Sequence, residues 1–104
     1  MEIKYTTSGN TLTAKLYGDL DEYSAEYVRI SLDTLLSETT FAPDAKVVVD
    51  LSNLTFMDST GIGVLLGRYN KFAKKGIALC VSNPPAHVDK ILKMSGVYKL
   101  LPQV

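Results

Sequence analysis

The chain has one cysteine, one histidine, no net charge and no long apolar run, and each shortage removes a class of function. The longest apolar stretch, ahead of Arg68, stops well short of the roughly 20 residues that a membrane span needs. The N-terminal MEIKYTTSG has neither the apolar centre nor the cleavage site of a signal peptide, so a soluble cytoplasmic protein is expected. Eleven basic residues cancel eleven acidic ones, which removes the broad electrostatic footprint of a protein that grips nucleic acid or anionic membrane. Neither is expected as a partner. Cys80, inside the apolar run IALCV, allows no internal disulfide and reads as a small buried hydrophobe in a reducing compartment. His87 stands alone, without the companions that catalysis or zinc binding requires, so no metal and no cofactor are expected.

A length of 104 residues fits one domain, residues 1–104, and no repeat, low-complexity tract or linker divides it. Ile3 and Tyr5, then Leu12, Ala14 and Leu16, alternate with polar residues on either side of Ser8-Gly9-Asn10, which predicts an edge hairpin. Ala25, Val28, Leu32, Leu35 and Leu36 then recur at helical spacing, with Asp21 or Ser24 as the cap. Lys46 to Leu51 carries three consecutive valines, as expected of a central strand covered on both faces. A second helix runs from about Asp58 to Lys74-Lys75 and stops at Gly76; Ile77 to Val81 is a further apolar strand. Ser82-Asn83-Pro84-Pro85 opens a third helix with Val88, Ile91 and Leu92 on its apolar side, Gly96 ends it, and Val97 to Leu101 is read as a closing strand. The expected architecture is α/β with a mixed, mostly parallel sheet and the order ββαβαβαβ.

Parallel strands joined by right-handed crossovers gather their carboxyl ends on one rim, where α/β sheets generally bind. The rim collects Asp19 to Tyr23, Asn53 to Thr60 and Ser82 to Pro85. At its centre is Phe56-Met57-Asp58-Ser59-Thr60-Gly61-Ile62-Gly63, which places the Ser59 hydroxyl at a helix start. Gly61, Gly63 and Gly67 strip the first two turns of side chains, at about 1 kcal/mol each relative to alanine, and so ask for a close neighbour. A serine-hydrolase elbow is excluded because Met57, not glycine, stands two residues before Ser59 and no base is at hand. The glycine spacing fits neither a dinucleotide fingerprint nor a P-loop. A phosphoaspartate receiver built on Asp19, Asp50 and Asp58 lacks paired acids after the first strand, and caps or turns account better for these residues. What remains is Ser59 as a substrate: phosphorylation adds about −1.5 to −2 charges beside Asp19, Asp21 and Asp58 without unfolding a helix terminus that favours anions.

Four stretches, Gly18-Asp19-Leu20-Asp21, Val47-Val48-Val49-Asp50-Leu51, Phe56 to Gly63 with Gly67-Arg68-Tyr69 behind it, and Met94-Ser95-Gly96-Val97, resemble in order and spacing the bacterial anti-sigma-factor antagonists of the STAS domain family. The resemblance implies a regulatory binding protein and not an enzyme. Unphosphorylated, such a protein binds an anti-sigma factor that is also a serine kinase and so frees the sigma factor for transcription. Phosphorylation of the serine matching Ser59 ends the binding, and a PP2C-type phosphatase restores it. The resemblance puts Asp19, Asp21, Tyr23, Ser24, Asp58, Thr60, Gly61, Gly63 and Arg68 at the partner surface. It also admits a STAS module serving a stress-signalling or transport-regulating assembly. Thr60 stands where many relatives carry serine or alanine, offering a second hydroxyl. The end at Val104, where relatives often add a helix, raises weak self-association as an expectation.

Overall fold

A computed structural model describes residues 1–104. Gly9, at φ +58°, makes the turn that lets β1 (Glu2–Ser8) pair antiparallel with β2 (Thr11–Leu20), Tyr5 facing Ala14. β2 lies parallel to β3 (Lys46–Met57), and β3 lies parallel to β4 (Ala78–Ser82), giving the sheet order β1-β2-β3-β4. The crossovers are α1 (Ala25–Glu38) and α2 (Ser59–Lys74), and α3 (Ala86–Ser95) follows β4. Because the strand order advances stepwise in one direction, two right-handed crossovers put α1 and α2 on the same face.

The core confirms that placement. From the strands it takes Ala14, Leu16, Val47, Val49, Leu51, Leu79 and Val81, which share one side of the sheet; from the helices it takes Val28, Leu32, Ile62, Leu65, Phe72, Val88 and Leu92. Each fully buried leucine or valine of this set contributes about 1.5–3 kcal/mol. The three valines therefore do not mean a strand roofed by helices on both sides. Val48 is buried on the opposite face, in register between Thr13 and Cys80 and outside the main core.

Two elements differ from the sequence reading. β3 runs six residues past Leu51, to Met57, because register shifts after Lys15 and Gly18 take up extra residues of β3, leaving Ser52 and Asn53 exposed. The loop expected from Asn53 onward shrinks to Asp58 alone. The closing strand expected from Val97 to Leu101 is instead a single 3-10 turn, Val97–Lys99. Gly96, at φ 78°, reverses the chain after α3, and Leu100 and Leu101 both donate to the Val97 carbonyl. Val97 and Leu101 are both fully buried, a spacing of four that a strand could also bury on one face; the two amides folded back onto one carbonyl are what make this segment a turn. Beyond them the chain end joins the sheet in one parallel bridge, Gln103 opposite Val81, in which the Val81 amide donates to the Pro102 carbonyl and the Val104 amide to the Val81 carbonyl.

Both candidate caps of α1 bond within the turn just ahead of the helix, and neither side chain accepts from an amide of Ala25–Glu38 itself. Asp21 Oδ1 accepts from the Tyr23 and Ser24 amides at 3.0 and 3.1 Å, while Ser24 Oγ accepts from the Asp21 amide at 3.1 Å. At the other end of the chain Tyr98 donates to Asp89 at 2.6 Å; this bond and then Lys93 hold the Asp89 carboxyl below its ordinary pKa, while burial and Asp89 push the Tyr98 phenol up.

Candidate functional site

The ends of β2 and β3 meet at the rim, Leu20 opposite Met57, and α2 begins two residues later at Ser59. Asp58 is its cap. In extended conformation, the Asp58 carboxylate accepts from the Thr60 and Gly61 amides at 2.9 and 3.2 Å, and its own amide reaches the Leu20 carbonyl at 3.4 Å. The cap ties the helix start to the end of β2. Ser59 and Thr60 are thereby released from capping duty: both are exposed, and neither hydroxyl has a partner within the chain. An unbonded alcohol at a helix start, with the positive end of the dipole behind it, tolerates an added anion.

The remaining rim residues fall around this point. Asp19 accepts from the Thr55 hydroxyl and, through its backbone carbonyl, from Ser24 Oγ at 2.7 Å. His87 is exposed, and its Nε2 lies 3.1 Å from the Thr55 carbonyl, linking α3 to the end of β3. Tyr23 stands 88% exposed. Asp19, Asp21, Tyr23, Ser24, Tyr27 and Thr55 line an open hollow of about 550 Å³ on the α1 side. On the α3 side Ser59 borders a second, more apolar groove with Ile62, Ile91 and Met94. Its walls come from two stretches far apart in the chain, Asp58, Ser59 and Ile62 from the start of α2 and Ile91, Met94 and Ser95 from α3. The groove forms only where α2 and α3 come together.

Two of the residues assigned to the partner surface turn out to serve the fold. A Cβ on Gly61 would stand 2.8 Å from the Leu20 carbonyl and 2.9 Å from Met57 Cγ, so this glycine seats α2 against the sheet. Arg68 is not on the rim at all. Nine residues along α2 from Ser59, about 13 Å away at 1.5 Å per residue, its side chain is buried, with Nε 3.0 Å from Asp33 of α1. Lys71 holds the other Asp33 oxygen at 3.1 Å, and burial pulls the Arg68 guanidinium pKa below its ordinary value against the opposing pull of Asp33. Gly63 and Gly67 differ from Gly61: a Cβ at either would meet open space. Gly63 is exposed and four residues from Ser59, on the same side of α2.

The rim aspartates are occupied as caps and turn formers. Asp50 accepts from the Ser52 amide at 2.8 Å, Asp58 caps α2, Asp19 is bonded to Thr55, and no three His, Cys, Asp or Glu residues converge. No helix is long and apolar enough to cross a membrane.

Comparison with known proteins agrees with this geometry. An "Anti-sigma F factor antagonist" from Paenibacillus polymyxa is 36% identical over 104 residues, spanning 98% of this chain and 85% of the relative. The structure of the anti-sigma factor antagonist SpoIIAA in its unphosphorylated form superposes with a TM-score of 0.80 at 23% identity, covering 99% of this chain and 88% of that one. The phosphorylated form of SpoIIAA gives a TM-score of 0.69 at 24% identity over 99% of this chain and 91% of that one. A family model described as the STAS domain matches residues 2–103, and the chain belongs to the STAS domain family.

Proposed function

We propose that this STAS domain is an anti-sigma-factor antagonist: unphosphorylated, it binds an anti-sigma factor that is also a serine kinase and so releases the sigma factor. In the modification step the γ-phosphoryl group of ATP passes to Ser59 Oγ, the hydroxyl proton is lost and ADP leaves. A PP2C-type phosphatase reverses it by hydrolysing the ester to serine and phosphate. The protein itself is the substrate and the binding partner, with no chemistry of its own.

The observation that carries this reading is the Ser59 hydroxyl, exposed and unbonded at a helix start in the middle of the rim. Antagonism of an anti-sigma factor is named for the Paenibacillus polymyxa relative, and SpoIIAA occurs in both an unphosphorylated and a phosphorylated form. After incubation with the anti-sigma factor of the same organism and Mg-ATP, the intact mass is expected to rise by one phosphate. Ser59→Ala removes the gain and Thr60→Ala keeps it. A gain that survives Ser59→Ala, or no gain in the wild type, contradicts the site.

Gly63 supports the same surface. With open space around its missing Cβ, nothing inside the chain calls for glycine there, whereas a partner backbone laid across Ser59 does. Gly63→Ala is expected to stabilise the isolated domain by up to about 1 kcal/mol through helix propensity while weakening partner binding. Thermal melting and titration on one preparation read both; a gain in stability with unchanged affinity removes Gly63 from the interface.

A further inference from the structure

The groove between the start of α2 and α3 measures about 400 Å³ and is lined by Asp58, Ser59, Ile62, Ile91, Met94 and Ser95. Ile62 is buried and Ile91 half-buried, both packed onto the core, but Met94 stands 78% exposed above them. A flexible, polarisable thioether held in water beside two isoleucines is a surface suited to taking up an apolar group of irregular shape. The electrostatics point the same way. No cation lines the groove, and its one charged wall is the Asp58 carboxylate, which accepts the Thr60 and Gly61 amides on a single oxygen. An anionic occupant finds no counter-charge there, so its desolvation goes uncompensated, whereas an apolar side chain finds matching walls.

We propose that this groove receives an apolar side chain of the anti-sigma partner, and that phosphate on Ser59 releases the partner chiefly by filling and hydrating the mouth of the groove. The inference rests on the proposed Ser59 switch and says how it works. Ser59 belongs at once to the groove wall and to the partner surface, so the two are continuous. A phosphate placed there brings about −1.5 to −2 charges and its water shell into a cleft that offers neither a lysine nor an arginine. The docked side chain and the hydrated ester cannot share it.

The test is titration of the unphosphorylated protein with the purified anti-sigma factor in the presence of ADP, comparing wild type, Met94→Ala, Met94→Glu and Lys74→Ala. Lys74 is exposed at the far end of α2 and serves as the surface control. Because Met94 is so exposed, the variants keep the melting temperature of the wild type, and Met94→Glu is expected to bind about tenfold or more weakly, Met94→Ala less severely, and Lys74→Ala like wild type. Tight binding by wild type and by Met94→Glu alike overturns the groove and leaves the Ser59 switch standing. Absence of wild-type binding overturns both.

Discussion

Gly61→Ala is expected to destabilise the domain by about 1–3 kcal/mol, even though alanine is the better helix former by about 1 kcal/mol. The added methyl would have to occupy space 2.8 Å from a backbone carbonyl, that of Leu20, and 2.9 Å from Leu20 Cγ and Met57 Cγ. Side chains can turn away, but the carbonyl is held in the sheet and also receives the Asp58 amide. Relief therefore requires α2 to lift from the end of β2, which loosens the Asp58 cap and moves Ser59. At roughly 4–8 °C per kcal/mol for a domain of this size, the melting temperature should fall clearly. Two residues further on, the same substitution at Gly63 is expected to raise it. Equal responses of the two variants contradict the assignment of one glycine to the fold and the other to the partner.

Phosphorylation of Ser59 is the change expected to have the largest functional effect. The ester is expected to leave the fold intact, because an anion at the start of α2 gains about 0.3–1 kcal/mol from the helix dipole. Its consequence falls on the complex. Burying a phosphate in a cleft without cations leaves several kcal/mol of desolvation uncompensated, so affinity for the anti-sigma factor should drop about a hundredfold or more, each factor of ten being about 1.4 kcal/mol. The acidic neighbours Asp19, Asp21 and Asp58 add nothing that would neutralise the new charge. Circular dichroism and melting of the phosphorylated protein should match those of the unmodified one while binding is lost.

What could be read from the sequence is what local periodicity encodes. The hairpin turn at Gly9, the apolar stripe of α1, the Asp58-Ser59 helix start and the strand-helix alternation all depend on neighbours close in sequence, and all are present. Val97 and Leu101 were ambiguous because two apolar residues four apart in a five-residue segment suit a tight helical turn as well as a strand end. The length of β3 was hidden by exposed Ser52 and Asn53, whose polarity reads as a loop although the strand passes through them. Arg68 gave no sign of burial, because its partner Asp33 lies in another helix and only packing brings them together. Gly61 and Gly63 look alike in sequence; the space around a missing Cβ is a property of the neighbours. The groove walled by Ile62, Ile91 and Met94 was out of reach for the same reason.

The most direct measurement is a pair of titrations with one batch of anti-sigma factor, using the protein with Ser59 free and the protein carrying phosphate on Ser59 alone, verified by intact mass. Tight binding by the first and a loss of about a hundredfold or more by the second is the predicted result. Equal affinity of the two forms contradicts the account.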